Sequence, residues 1–258
     1  MSRLWRDLPR LDIPKSAEVA VIFSDDSRNA ANDAAMTADY FLHVLLGEQL
    51  GAWFAFIGDN QVRKGIQSMD AARLIIAPQL SYTSRAFAEK LEARVRAGAT
   101  LVVLDPDALD WDIETGSLAA QRKSLMGAPV GTPVEVSRLV PTDEGKKRFP
   151  GTGILILHPG PAGVTARRLA VPKDATVLYT FGDGVPAMYT RKLGQGEVIV
   201  SAAQPFSGLP LGLRAMGWDV FFGSLMDGLS IKRNLPIWDF LLPASGGETP
   251  VYELPSRK

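Results

Sequence analysis

Four aspartates stand directly after two predicted strands and are the residues best suited to chemistry. Asp25 and Asp26 follow the apolar run Glu18–Phe23, and Asp105 and Asp107 follow the run Leu101–Leu104. The carboxyl ends of parallel strands meet at one edge of a sheet, where ligands usually bind. We therefore expect these carboxylates to converge, so that they can bind a hydrated cation or sugar hydroxyls, or couple their protonation states. The alternative is structural, because aspartates at strand ends also cap helices and bind loop backbone groups.

Other polar and aromatic side chains fall at the same predicted edge. His158 ends the run GILILH and is the better placed of the two histidines for general-base catalysis, yet no partner nucleophile is identifiable. Trp111 can stack on a sugar, although a tryptophan in such an apolar context is more often a core or interface residue. We predict no catalytic residue, no metal ligand and no cofactor. The candidate ligand-binding residues are Ser24, Asp25, Asp26, Gln79, Asp105, Asp107, Trp111 and His158.

Composition and motifs exclude several classes of function. The chain has no cysteine, which excludes disulfides, thiolate zinc sites and cysteine nucleophiles. Lysine plus arginine and aspartate plus glutamate both number 28, so we expect no nucleic-acid partner. No stretch has the length of a signal peptide core or a membrane span, so we expect a cytoplasmic protein without a membrane partner. The letters GDGVPA at 182–187 match a dinucleotide fingerprint, but Pro186 and the β-rich run after it predict a hairpin instead.

The first half of the chain alternates between predicted strands and helices. Tyr82-Thr83-Ser84 can cap a helix whose apolar positions Phe87, Leu91 and Val95 lie four apart, and Gly98 ends it. A strand–helix–strand unit with tight connections is a right-handed parallel crossover. The pattern predicts an α/β fold with a flavodoxin-like parallel sheet and helices on both faces. The predicted elements are strands Glu18–Phe23, Trp53–Ile57, Arg73–Ala77 and Leu101–Leu104, a long helix Asn29–Leu50, a turn Gly58-Asp59-Asn60, and a short helical segment Val62–Ser68.

After Asp107 the signals become antiparallel. Two glycine-containing turns, at 182–184 and 194–196, separate β-rich runs and predict hairpins. We expect an antiparallel β-meander inserted at about 130–195, with EVIVSAA returning to the main sheet. The other predicted elements are a helix Leu118–Leu125, a strand Val134–Val140, an apolar run Gly153–His158 and a closing helix Trp218–Leu229. The predicted domains are an N-terminal arm (1–16), one α/β domain (17–242) and a linker-like tail (243–258).

Two longer phrases resemble a known family. ARLIIAPQLSYTSRAFAEKLEARVRAGATLVVLD and GDGVPAMYTRKLGQGEVIVSAA are similar to the middle, trimerisation domain of family 42 β-galactosidases, within the class I glutamine amidotransferase-like fold. EVAVIFSDDS and WDVFFGSLMDG fit in the same order, so the resemblance covers most of 17–232 and is weakest from 112 to 166. Active amidotransferases of this fold place a cysteine after a strand, where this chain has Asp105, so glutaminase chemistry is excluded. Family 42 enzymes carry their catalytic glutamates on a separate barrel domain that this chain is too short to include.

Three hypotheses follow. The first is a non-catalytic amidotransferase-like module that forms a homo-oligomer, such as a trimer, or packs against the catalytic domain of a carbohydrate-active enzyme. The second is a small hydrolase or lyase that uses Asp105, Asp25 or His158. The third is a carbohydrate- or metabolite-binding domain without turnover that uses Asp25, Asp26, Gln79 and Trp111. The missing nucleophile favours the first.

Overall fold

The structure is a computed structural model that describes residues 16–31, 33–159, 163–206 and 217–233. The predicted tail and all but the last residue of the predicted arm lie outside these ranges. The strands are β1 Val19–Phe23, β2 Phe54–Gly58, β3 Leu74–Ala77, β4 Thr100–Val103, β5 Trp111–Asp112, β6 Gly116–Ser117, β7 Thr132–Pro133, β8 Arg138–Pro141, β9 Leu155–Ile156, β10 Arg167–Arg168, β11 Thr176–Thr180, β12 Pro186–Leu193 and β13 Gly196–Ser201. The α-helices are α1 Asp25–Ala31, α2 Asp33–His43, α3 Asp59–Arg63, α4 Arg85–Arg96, α5 Ala119–Leu125, α6 Asp143–Arg148 and α7 Trp218–Gly228.

One nine-stranded mixed sheet organises the described residues, in the order β2-β1-β3-β4-β13-β12-β11-β8-β9. The pairs from β2 through β13 are parallel, and those from β13 through β9 are antiparallel. Every residue of β3, β4 and β13 is buried. This burial explains the continuous apolar runs LIIA and LVV, because central parallel strands are covered on both faces. The fold is therefore a mixed α/β fold.

The crossover β3–α4–β4 forms as predicted. The Ser84 hydroxyl accepts a hydrogen bond from the Phe87 N–H at 3.2 Å and caps α4. Phe87, Leu91 and Val95 are all fully buried. Gly98 has a φ of 118°, which favours glycine, and it ends the helical segment before β4.

The antiparallel strands continue the main sheet. β13 pairs with β4 in parallel and with β12 antiparallel, so it joins the two halves of the sheet. A Cβ at Gly196 would lie 2.1 Å from the Val95 carbonyl oxygen, so only glycine allows this turn to pass under α4. The predicted strand Val134–Val140 is displaced, because the strand that joins the sheet is Arg138–Pro141.

The first helical region differs from the predicted single helix Asn29–Leu50. Helix α1 begins at Asp25, since the Ser24 hydroxyl accepts from the Ser27 N–H at 3.2 Å and the Ser24 carbonyl from the Arg28 N–H at 2.9 Å. After α2, the segment Val44–Gln49 is a π-helix. The predicted turn at 58–60 is also wrong, because helix α3 begins at Asp59.

The closing helix α7 is fixed to the sheet by Trp218. Its side chain is fully buried, and its indole N–H donates to the Ile156 carbonyl at 2.8 Å. Edge-on ring contacts to Phe206 at 5.4 Å and Phe221 at 5.6 Å surround it, so this tryptophan is a core residue. No helix in the described ranges is long and apolar enough to cross a membrane.

Candidate functional site

The carboxyl ends of β1, β2 and β3 are joined by a buried carboxylate, Asp59. Its Oδ2 accepts from the Ser24 hydroxyl at 2.9 Å and from the Thr83 hydroxyl at 3.0 Å. Its Oδ1 accepts from the N–H groups of Asn60 at 2.7 Å and Asp25 at 3.3 Å. Asp59 is only 2% exposed, so its oxygens face protein groups rather than a ligand. The sequence prediction included Ser24 but missed Asp59, which was assigned to a turn.

Asp25 and Asp26 occupy the first turn of α1, ahead of the predicted helix start at Asn29. Negative charge is favourable there because of the helix dipole. Asp25 lies 3.6 Å from Arg28, a partly exposed pair that contributes little stability. The pKa of Asp26 is raised by burial and, after that, by the neighbouring carboxylate of Asp59. Both residues therefore have a structural explanation as helix N-terminal acids.

Asp105 lies just beyond the carboxyl end of β4. It is 3% exposed, and its Oδ2 accepts from the Leu80 N–H at 2.8 Å and from the Ser81 hydroxyl at 2.7 Å. Its Oδ1 accepts from the Asp107 N–H at 2.9 Å. Burial raises the pKa of Asp105, although these hydrogen bonds oppose the shift. The side chain ties the loop after β3 to the loop after β4.

A buried arginine that the sequence analysis missed holds the same loop. Arg122 on α5 is 1% exposed, and its guanidinium donates to the carbonyl oxygens of Pro106 at 2.8 Å, Ala128 at 3.1 Å and Ala108. Burial lowers its pKa, and the charge of Asp105 opposes this. Nothing in the segment AAQRKSL distinguishes this arginine from a surface residue, because its partners are backbone atoms.

Asp107 forms an ion pair with Arg167 of β10. The guanidinium donates to both carboxylate oxygens at 2.8 Å, and each side chain is about one-fifth exposed. The Arg167 N–H also donates to the Ala202 carbonyl at 2.7 Å, just after β13. The pair therefore closes the loops over the ends of β4 and β13.

Gln79 and His158 are both buried, and each has one side-chain atom without a hydrogen-bond partner, Gln79 Oε1 and His158 Nε2. The His158 N–H donates to the Pro205 carbonyl at 2.9 Å, and the ring lies 6.0 Å from that of Phe41. Burial lowers the pKa of His158, which favours the neutral ring. No carboxylate or hydroxyl within the described ranges is hydrogen-bonded to Nε2, so the geometry gives this histidine no partner for general-base catalysis.

Trp111 is the one predicted site residue with a large exposed surface, 47% of the residue. It lies on the hairpin of β5 and β6, whose turn is fixed by Asp112. Although burial raises the pKa of Asp112, hydrogen bonds from the Thr115 hydroxyl and from the Arg85 and Glu114 N–H groups lower it to about 2. Asp112 is therefore ionised and structural.

The four predicted aspartates do not form one group. Strand β3 lies between β1 and β4, so their ends are two strand spacings apart, about 10 Å. The carboxylates that raise the pKa of Asp26 are those of Asp59, Asp25 and Asp112, whereas the carboxylate that raises the pKa of Asp105 is that of Asp107. Within the described part of the chain, no group of three or more acidic or histidine side chains could hold a metal ion. The strand-end edge is thus occupied by internal hydrogen bonds.

Comparisons with known proteins agree with this architecture. Residues 17–209 match the family model of the β-galactosidase trimerisation domain. A β-galactosidase from Bacillus circulans sp. alkalophilus is 17% identical with a TM-score of 0.62, and the match covers 90% of this chain and 34% of the other. A β-galactosidase from Halorubrum lacusprofundi is 20% identical with a TM-score of 0.59, covering 86% of this chain and 32% of the other.

A cytoplasmic protein from Salmonella typhimurium LT2 is 13% identical with a TM-score of 0.54. That match covers 83% of this chain and all of the other, so a fold of this kind also occurs as a whole solved chain. No curated protein matches the sequence. The chain spans about a third of the length of the solved β-galactosidases it resembles.

Proposed function

Because the chain belongs to the β-galactosidase trimerisation domain family, we propose that it is a non-catalytic module that associates copies of itself into an oligomer. The observation that carries this proposal is the burial of Asp105. In amidotransferases, whose fold we expect this chain to share, the nucleophilic cysteine follows the corresponding strand. Here that position holds Asp105, and its oxygens accept hydrogen bonds from Leu80, Ser81 and Asp107. A strand-end carboxylate occupied by internal donors, in a chain that has no cysteine nucleophile, supports a scaffold role.

The solved β-galactosidases are about three times as long as this chain. We therefore also propose that the module packs against a catalytic domain, in the same polypeptide or in a partner chain. The order β2-β1-β3-β4-β13 matches the flavodoxin-like order, which supports our assignment of an amidotransferase-like fold. The cytoplasmic location stays a prediction.

Light scattering coupled to size-exclusion chromatography tests the assembly proposal. The mass of the purified chain is measured across a dilution series, from the highest soluble concentration down to the detection limit. We expect a mass that is a multiple of 27.9 kDa, such as a trimer, at the higher concentrations. A monomer throughout the series would contradict self-association.

The exposed Trp111 supports a second candidate function, sugar binding without turnover. Indole rings stack on the apolar faces of sugars, and this ring is 47% exposed beside two strand-end loops. Titration of the protein with galactose and lactose, followed by tryptophan fluorescence, tests this function. We expect a saturable change that is lost in Trp111→Ala, and a flat titration would remove the candidate.

A further inference from the structure

An open groove lined by aromatic side chains lies at the β2 edge of the sheet. The groove has a volume of about 400 Å³ and is lined by Phe23, Asp39, Tyr40, His43 and Phe56; we call it the aromatic groove. Tyr40 is 53% exposed and Phe56 is 37% exposed. Met36, one turn before Tyr40 on α2, is also 57% exposed. Contiguous exposed apolar surface of this kind marks interaction sites in soluble proteins.

The rings of the aromatic groove are held in place by edge-on contacts. The Phe56 ring lies 6.4 Å from that of Phe23 and 5.4 Å from that of Phe54, both nearly perpendicular. His43 contacts Phe54 in the same manner at 5.8 Å. Because the rings are already ordered, a partner that covers them loses little conformational entropy, as in interface residues that dominate binding energy.

Strand β2 is an edge strand whose own residues lack the usual protection against pairing, although Ala52, two residues before it, forms an isolated antiparallel bridge with Arg233. It pairs with β1 in continuous register, and no other strand of the nine-stranded sheet lies on its outer side. Its sequence FAFIG contains no charged residue and no proline. The opposite edge is protected differently, since β9 has only two residues and β8 ends in a proline. Natural edge strands without such features are normally covered by another element.

The rim of the aromatic groove carries charges of both signs. The Arg28 guanidinium lies 4.9 Å from the Phe23 ring centroid and 3.6 Å from Asp25, and Asp39 lies in the groove itself. The negative charge of Asp25 on this rim repels a polyanion such as nucleic acid. A second copy of the chain suits it, because the chain belongs to the trimerisation domain family and each copy presents the same exposed aromatic side chains with charges of both signs.

We propose that the aromatic groove and the β2 edge are buried against a second copy of this chain in the oligomer. The inference rests on the proposed assembly function and assigns the surface that carries it. Among the large hydrophobic side chains that line the groove, Tyr40 and Phe56 are the most exposed, which makes them the residues of choice for testing.

The absence of cysteine allows a direct test by thiol protection. Tyr40→Cys places a single thiol in the groove, and Ile66→Cys places one at a 69% exposed position outside the groove as the matched control. The rate at which each thiol reacts with a maleimide is measured at two protein concentrations, one at which light scattering shows the oligomer and one at which it shows the monomer. We expect Tyr40→Cys to react about tenfold more slowly in the oligomer, and Ile66→Cys to react at one rate in both.

A second pair of variants tests the energetics. Phe56→Lys should raise the dissociation constant of the oligomer by at least about tenfold, while Ile66→Lys leaves it unchanged. Far-ultraviolet circular dichroism of both variants checks that they are folded. If Phe56→Lys is unfolded, the thiol protection experiment alone decides the proposal.

The outcomes separate the surface from the function. An oligomer in which Tyr40→Cys reacts as fast as in the monomer overturns the assigned surface and leaves self-association intact. If Tyr40→Cys reacts much more slowly than Ile66→Cys in both the oligomer and the monomer, the surface is also overturned, because the groove is then covered by something other than a second copy. A wild-type chain that is monomeric throughout overturns both the function and the surface.

Discussion

Replacing Asp105 by alanine should destabilise the fold by about 2–4 kcal/mol. The carboxylate accepts from the buried Leu80 N–H and from Ser81, which hold the loop after β3, and from the Asp107 N–H, which holds the loop after β4. Alanine removes both acceptor oxygens and with them all three hydrogen bonds. Each buried donor left without an acceptor costs roughly 1–3 kcal/mol. Relief from burying the carboxyl group offsets part of this, because burial raises its pKa.

The same pKa shift gives the destabilisation a defined pH dependence. When the folded-state pKa of a carboxyl group is raised above its unfolded value, the folded state binds more protons in the interval between the two values. The wild type then loses stability as the pH rises through that interval, whereas the alanine variant does not respond there. The deficit of Asp105→Ala is therefore expected to be largest below the unfolded pKa of the carboxyl group and to shrink as the pH rises through its folded pKa.

Urea unfolding followed by tryptophan fluorescence measures this deficit. With a slope of about 3 kcal/mol per molar, the midpoint should fall by roughly 1 M. Asp110→Ala is the matched control, because Asp110 is exposed in the same loop, and its midpoint should be unchanged. If Asp105→Ala is as stable as Asp110→Ala, Asp105 does not tie the loops together and the scaffold interpretation of the strand-end edge loses its main support.

Three further changes have defined expectations. Arg122→Met should lower stability by about 2–4 kcal/mol in thermal unfolding, because backbone carbonyl oxygens lose their buried donor; equal stability of Arg122→Met and Lys123→Met would refute this. Burial raises the pKa of Asp39 from 3.8 to about 7, so the wild type should lose stability as the pH rises through this range. Asp39→Asn should therefore be more stable above pH 7 by about 2 kcal/mol, after allowance for partial solvation, and equal near pH 4; parallel stability curves would contradict it. Trp218→Phe should cost about 1–2 kcal/mol because it removes a hydrogen bond to β9, whereas Trp111→Phe should cost almost nothing in the same urea titration.

Local patterns predicted those elements whose signals lie within a few residues. Helix α4 is an example, since its cap at Ser84 and its apolar spacing can both be recognised in the sequence and both appear in the structure. The first helix shows the limit of this approach. The helix was predicted to begin at Asn29, but Ser24 serves as a cap and the acids after it form the first helical turn.

The candidate site depended on contacts between residues that are far apart in the chain. Asp59 was missed because its hydroxyl partners lie 35 residues before it and 24 residues after it. Arg122 was missed because it binds backbone atoms, which leave no mark on residue type. The sequence placed Asp25 and Asp105 at the same edge of the sheet but did not contain the strand order that separates them.

Sequence alone determined that strands and helices alternate, that no cysteine chemistry is available, and that carboxylates follow the strands, because periodicity and residue type act over short distances. Tertiary structure decided what those carboxylates do. The insertion of β3 between β1 and β4 separates the aspartates, and burial gives Asp59 and Asp105 internal donors as partners. The exposure of Tyr40 and Phe56 was likewise decided by packing, because a side chain's accessibility depends on which elements the whole chain brings beside it.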